Sequence, residues 1–242
     1  MKYFAVVSFF LVSWSLAAQD NTPQQEPSRF KIGISASADY CYRSLIAEDT
    51  AGFGYVYSYI NNSEIPGLGY SAGITTSYQL GQNWSLDAGV KYALNRYRTK
   101  EITFTDAQGE KIGTGYYATL NRFISIPIGI HRSFTLSGHD RIGFMAGVSI
   151  IPQYSLGVWT RGNYDLPEAY DNIGSYSKDE ITTYNQFTAA GSVEAGVNMC
   201  LDKICIQVLP NFTYNFMKQA QDVKINKRLW SAGLEIRVLY SI

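Results

Sequence analysis

The residues able to do chemistry in this sequence are few and widely spaced. There are two histidines, His131 and His139, and three cysteines, Cys41, Cys200 and Cys205. A histidine beside a serine or aspartate could serve acyl transfer or hydrolysis. Here both histidines fall by one short connection, and no Cys/His cluster has zinc-ligand spacing. No catalytic residue, metal or cofactor is therefore assigned. In the stretch from Cys200 to Cys205 a two-residue turn, Asp202-Lys203, would set the two thiols opposite one another. That suits a disulfide in an oxidising compartment, with two reduced inward-facing residues as the alternative. The other candidates are charges: Lys31, Asp39, Arg43, Asp87, Lys91, Glu194, Glu235 and Arg237 as one set, Arg96 and Arg122 as another. What they do depends on the elements that carry them.

Twenty basic residues balance twenty acidic ones, so the chain offers no electrostatic footprint for nucleic acid. The opening MKYFAVVSFFLVSWSLAAQD has a basic start, an apolar run and a small-residue stretch. It reads as a signal peptide over 1–18, with cleavage beside Ala17 or Ala18. Its apolar run is shorter than the roughly 20 residues of a membrane-spanning helix. Residues 19–29 form a polar, proline-containing stub, expected to be disordered. One domain, 30–242, follows.

That domain alternates apolar and polar residues with period two. Eight strands are expected: Phe30 to Ser44, Gly67 to Leu80, Trp84 to Thr105, Thr114 to Phe134, Ile142 to Thr160, Thr183 to Leu201, Ile204 to Met217 and Ile225 to Tyr240. Short connections at Gly81-Gln82-Asn83, Thr135 to Arg141 and Asp202-Lys203 alternate with longer ones. Such asymmetry suits an all-β, eight-stranded antiparallel up-and-down barrel in an outer membrane, with short periplasmic turns and long external loops. Any membrane location must be as a closed barrel, because no later segment is apolar and long enough for a helix.

The polarity of the two faces decides the environment. In the last strand Trp230, Ala232, Leu234, Ile236, Val238 and Tyr240 share one parity, and Ser231, Gly233, Glu235 and Arg237 share the other. Trp230 and Tyr240 are ten residues apart. That is about 33 Å of strand, or roughly 25 Å once tilted, the height of a barrel's apolar band. A soluble ligand-binding barrel, the architectural rival, would point its charges outward. Here they are expected inside, as a plug of balanced pairs in a lumen only wide enough for side chains. Their alternative is solvation at the rims. Arg96 and Arg122 fall just above the band on the outer face, where they could bind lipopolysaccharide phosphates or simply snorkel.

The stretch NRFISIPIGIHRSF places Ile124, Ile126, Ile128 and Ile130 toward lipid and Pro127 inward, where a bulge or kink is expected. With its apolar-Pro-apolar core at Ile126-Pro127-Ile128, and with the Gly-x-Ser-x-Ala series at Gly33 to Ser37, the chain from Phe30 to Ile242 resembles the PorT-like outer-membrane β-barrel family of Gram-negative bacteria. The resemblance implies an outer-membrane barrel, in some members associated with secretion and gliding machinery, and supplies no catalytic residues. The Ser231-x-Gly233-x-x-Ile236-x-Val238 pattern, extended to Tyr240, also looks like the terminal-strand signal read by the barrel insertion machinery. The expectation is a non-enzymatic barrel whose loops or periplasmic rim engage an envelope or secretion partner. A small diffusion channel and a lipid-modifying enzyme are the alternatives.

Overall fold

The computed structural model describes residues 29–47, 54–136, 139–167, 176–178, 184–201, 203–220 and 225–242. The expected signal peptide and all of the stub but Arg29 lie outside them. The strands are β1 (Phe30–Ala47), β2 (Glu64–Gln79), β3 (Trp84–Thr99), β4 (Ile102–Thr105), β5 (Lys111–Ser125), β6 (Ile128–Leu136), β7 (His139–Asp165), β8 (Tyr176–Lys178), β9 (Phe187–Leu201), β10 (Ile204–Asn215) and β11 (Ile225–Ser241). One helix, α1 (Gly54–Ser63), precedes β2.

These strands make a ring of eight antiparallel staves. β1 pairs with β2, β2 with β3, and β3 with both β5 and β6, which together form the fourth stave. β7, β9, β10 and β11 follow, and β11 returns to β1 from Lys31↔Ser241 to Ala47↔Ile225. Closure removes the free edges that an open sheet of this length would expose. β4 and β8 are short additions on the outer ends of β5 and β7.

The two faces are inverted relative to a soluble barrel. Outward-pointing Ile34 and Ile150 are 66% and 65% exposed, with Ile74, Val90, Ile128 and Val238 in the same state. Inward-pointing Ser35, Asp39, Asp87, Lys91, Glu194 and Arg237 are buried. A continuous apolar band of this kind is the lipid-facing surface of a transmembrane barrel. Aromatics mark its ends: Phe30, Tyr78, Phe144 and Tyr240 toward the termini, Tyr40, Tyr70, Tyr154 and Phe212 toward the long loops. No described helix is long and apolar enough to cross a membrane.

Several boundaries differ from the sequence reading. The expected strand from Trp84 to Thr105 breaks at residues 100–101, and β4 then turns back as a hairpin on β5. Asp106 Oδ1 accepts the N–H groups of Gln108 and Glu110, and Gly109 supplies a φ of 87° in this turn. β7 outruns its expected end at Thr160 because residues up to Asp165 keep pairing with β5. β9 begins at Phe187; Thr183, its expected start, lies outside the described residues.

The bulge expected at Pro127 is absent. Pairing is interrupted at residues 126–127, but register is unchanged across the gap: Ser125 and Ile128 oppose Lys91 and Ala88 on one side, Gln153 and Ile150 on the other. Gly89 N–H still donates to the Pro127 carbonyl and Ile126 N–H to that of Pro152. What is lost is the reciprocal donation at each site, because neither Pro127 nor Pro152 has an N–H. The register shift lies instead between Arg122 and Phe123, where the neighbouring strand β7 carries the extra residue, Leu156, beside Gly157, whose φ is 124°.

Candidate functional site

The barrel interior is where chemistry-bearing side chains converge. Arg237 on β11 stands at its centre. Its Nη2 donates to both Glu194 oxygens at 2.8 and 2.6 Å, its Nε to Glu235 at 2.7 Å and its Nη1 to Asp87 at 3.2 Å. Lys91 Nζ reaches the same Glu235 oxygen at 2.6 Å. His131 completes the set, with Nε2 against Glu194 Oε1 and Nδ1 3.0 Å from Asp87 Oδ2. The Nδ1 contact is an ion-pair distance without a well-aligned hydrogen bond. Arg237 and Lys91 face three carboxylates, so the six groups sum to zero when the imidazole carries both protons. A buried charge cluster persists only when its members satisfy one another in this way.

Each member is delivered by the period of its stave. Asp87 and Lys91 lie two inward positions apart on β3, Glu235 and Arg237 one apart on β11, and His131 and Glu194 both pair with Gly147 of β7. Gly147 is what admits the ring. A Cβ built there would collide with the His131 imidazole at Cδ2, Nε2 and Cγ.

The eight expected lumen charges do not form one network. Asp87, Lys91, Glu194, Glu235 and Arg237 do. Asp39 is buried nearby, taking a 2.6 Å bond from Ser37 Oγ. Lys31 lies toward the periplasmic end, its Nζ 3.2 Å from Cys205 Sγ. Arg43 belongs to a second cluster at the external mouth. Only 2% exposed, it reaches Glu64 at 2.7 Å, Asn61 Oδ1 at 3.3 Å and the Ile60 carbonyl at 2.9 Å. It thus holds the carboxyl end of α1, where a cation is favourable. Lys227 joins through Glu64 and Tyr97, each at 3.1 Å. The stretch containing α1 falls in an expected long loop; Arg43, bonding Asn61 and the Ile60 carbonyl, is the tertiary partner that ties the carboxyl end of the helix to β1.

Between the clusters the lumen is filled. Tyr97, Phe123 and Leu229 form an apolar layer. Gln153, Thr188 and Asn215 share side-chain hydrogen bonds, and Gln219 contacts Asn121. Beside the charge network remains a cavity of about 70 Å³, lined by Asp39, Asn95, Ser149, Glu194 and Arg237 among others. That space suits a few waters.

Cys200 and Cys205 are opposed in register and joined by a disulfide at the base of the β9–β10 hairpin. Cys41 is a buried free thiol. Arg96 and Arg122 stand on the outer face, Arg96 opposite Leu120 and Arg122 opposite Leu94. His131 is 1% exposed and sealed inside; the His139 side chain lies outside the described residues. The sequence sets His131 by a short connection without joining it to the charges, and it singles out neither Glu64 nor Lys227. Inward parity at His131, facing a glycine, was the available signal, usable only once the register is known.

Residues 17–216 match the family model described as an outer membrane protein beta-barrel domain. The chain belongs to that family. This outer-membrane β-barrel is similar to several solved structures. Neisserial surface protein A is 16% identical with a TM-score of 0.45, over 90% of this chain and 100% of that one. OprG from Pseudomonas aeruginosa is 10% identical with a TM-score of 0.39, over 89% and 99%. The outer membrane protease OmpT from Escherichia coli is 9% identical with a TM-score of 0.38, over 92% and 99%. At such identities nothing about the barrel's activity follows from the likeness. No curated protein matches the barrel's sequence.

Proposed function

We propose that this outer-membrane barrel is a closed, non-enzymatic scaffold whose external surface engages a protein of the cell envelope or a secretion assembly. The observation that carries the reading is the obstructed interior, with a network of opposed charges around Arg237 and the apolar cluster of Tyr97, Phe123 and Leu229 in series. A diffusion channel would need a continuous wet path, which these layers interrupt. A lipid-modifying enzyme would need a reactive side chain open to the outer leaflet, whereas His131 is locked between two carboxylates inside.

What projects outward favours protein contact. Tyr55 of α1 is 83% exposed and Tyr59 is exposed beside it. On the β4–β5–β7 extension, Tyr164 packs edge-on against Phe104 and Tyr117 at 5.7 and 5.8 Å between centroids. Exposed aromatics on a rigid support are typical of interface anchors. The PorT-like resemblance points to the same partner class. Within this reading residues 1–18 act as the export signal and β11, with its pattern from Ser231 to Tyr240, addresses the insertion machinery.

The test is affinity purification from native membranes after gentle crosslinking. An envelope protein should be recovered with the wild-type barrel and lost with the Tyr55→Ser/Tyr59→Ser variant. Recovery that is unchanged in the variant would remove the external surface from the account. Mass spectrometry of lipid A with and without the protein addresses the enzymatic alternative, and a protein-dependent mass change would establish it.

A further inference from the structure

Three arginines crowd one patch of the outer face at the external edge of the apolar band. Arg98 pairs in register with Ala118, Arg96 with Leu120 and Arg122 with Leu94, all on β3 and β5. Trp84 marks the periplasmic belt of β3, and ten residues above it the apolar band ends at Leu94. Arg96 is the next outward residue and Arg98 the one after, which puts their guanidinium groups at headgroup height.

Two aromatic rings hold these cations in place. Arg122 lies 4.2 Å from the centroid of Trp159, and Arg98 4.6 Å from that of Tyr116. The Nε atoms of Arg96 and Arg122 are shielded from solvent and have no hydrogen-bond partner. None of the three arginines forms an ion pair with a carboxylate among the described residues. Neighbouring like charges on one sheet face repel, and a buried, unpaired N–H is costly. At the periplasmic belt Arg132 stands over Trp84 and Phe134 at 5.6 and 5.0 Å, outside this patch.

We propose that Arg96, Arg98 and Arg122 form a binding site for the phosphates of a diphosphorylated glycolipid of the outer leaflet, its acyl chains lying on the apolar surface below. Arginine forks match phosphate oxygens, and the ring contacts pre-orient two of the three. The free Nε donors find acceptors in the same step. Ile124 and the facing Tyr92 supply the apolar footing directly beneath.

Native mass spectrometry of the full-length barrel in detergent tests the site, with diphosphoryl lipid A as probe. The wild type should retain one molecule, and dephosphorylated lipid A should bind at least tenfold more weakly. Arg96→Gln/Arg122→Gln should weaken diphosphoryl lipid A at least tenfold, while Arg132→Gln should leave it unchanged. Heat-dependent gel migration verifies folding. If the double variant does not fold, Arg96→Gln and Arg98→Gln singly should each weaken binding at least threefold. Binding by a folded double variant within twofold of wild type would overturn the proposal. Phosphatidylglycerol retained as tightly as lipid A would also overturn it, since the patch would then be a general acidic-lipid contact. Displacement of lipid A by millimolar inorganic phosphate would do the same.

Discussion

Replacing Arg237 with methionine is the most informative perturbation of the interior. The guanidinium makes four contacts of 2.6 to 3.2 Å with three carboxylates. Methionine has comparable reach and flexibility, so the change removes charge and donors more than volume. It leaves Lys91 with Glu235, and His131 as the cation still in contact with Glu194 and Asp87. Breaking a buried pair by deleting one partner costs about 3–5 kcal/mol, because the remaining charge is stranded. That magnitude is expected in urea unfolding of the barrel refolded into lipid vesicles, followed by tryptophan fluorescence. Adding Glu194→Gln removes the carboxylate that loses two of those bonds, restores the charge balance and should recover at least half of the loss. A cost below about 1 kcal/mol for Arg237→Met would mean that these charges are solvated, as surface pairs are. The plugged interior would then be wrong.

Other expectations follow from single contacts. Gly147→Ala drives a methyl group into the His131 ring and should destabilise by about 1–3 kcal/mol, the usual range for overpacking. In urea titrations the added His131→Ala change should recover part of that loss. Alkylation of the unfolded, unreduced protein should label Cys41 alone, and mass spectrometry showing three labelled cysteines would remove the Cys200–Cys205 disulfide. Pro127→Ala restores a donor facing the Gly89 carbonyl but frees the unfolded chain. Its stability should therefore stay within about 1 kcal/mol of wild type, and a larger loss would show that the ring itself is needed there.

The outward face was legible in the sequence because it rests on parity alone: Ile34, Ile74, Ile128 and Val238 recur every second residue and are exposed in the fold. The Cys200–Cys205 opposition was equally local, set by a two-residue turn. Pairing inside the lumen was not legible, since partners come from staves distant in sequence. Parity puts Arg43 and Arg237 on the same face, yet β1–β11 register sets Arg43 opposite Leu229 and Arg237 opposite Ser35, far apart along the barrel. One therefore anchors the end of α1 and the other the central network. The helix α1 was hidden for another reason. Its YVYSYINN stretch is aromatic and β-branched, with weak helical preference, and tertiary bonds from Arg43 override that bias. Pro127 misled because the donations missing at Pro127 and Pro152 needed no extra residue in the stave.

The account rests on a barrel whose interior is closed, and planar-bilayer recording of the purified wild-type protein tests that most directly. The filled lumen predicts a flat current at moderate voltage, with no steps attributable to the barrel. Reproducible, protein-dependent conductance steps would contradict it.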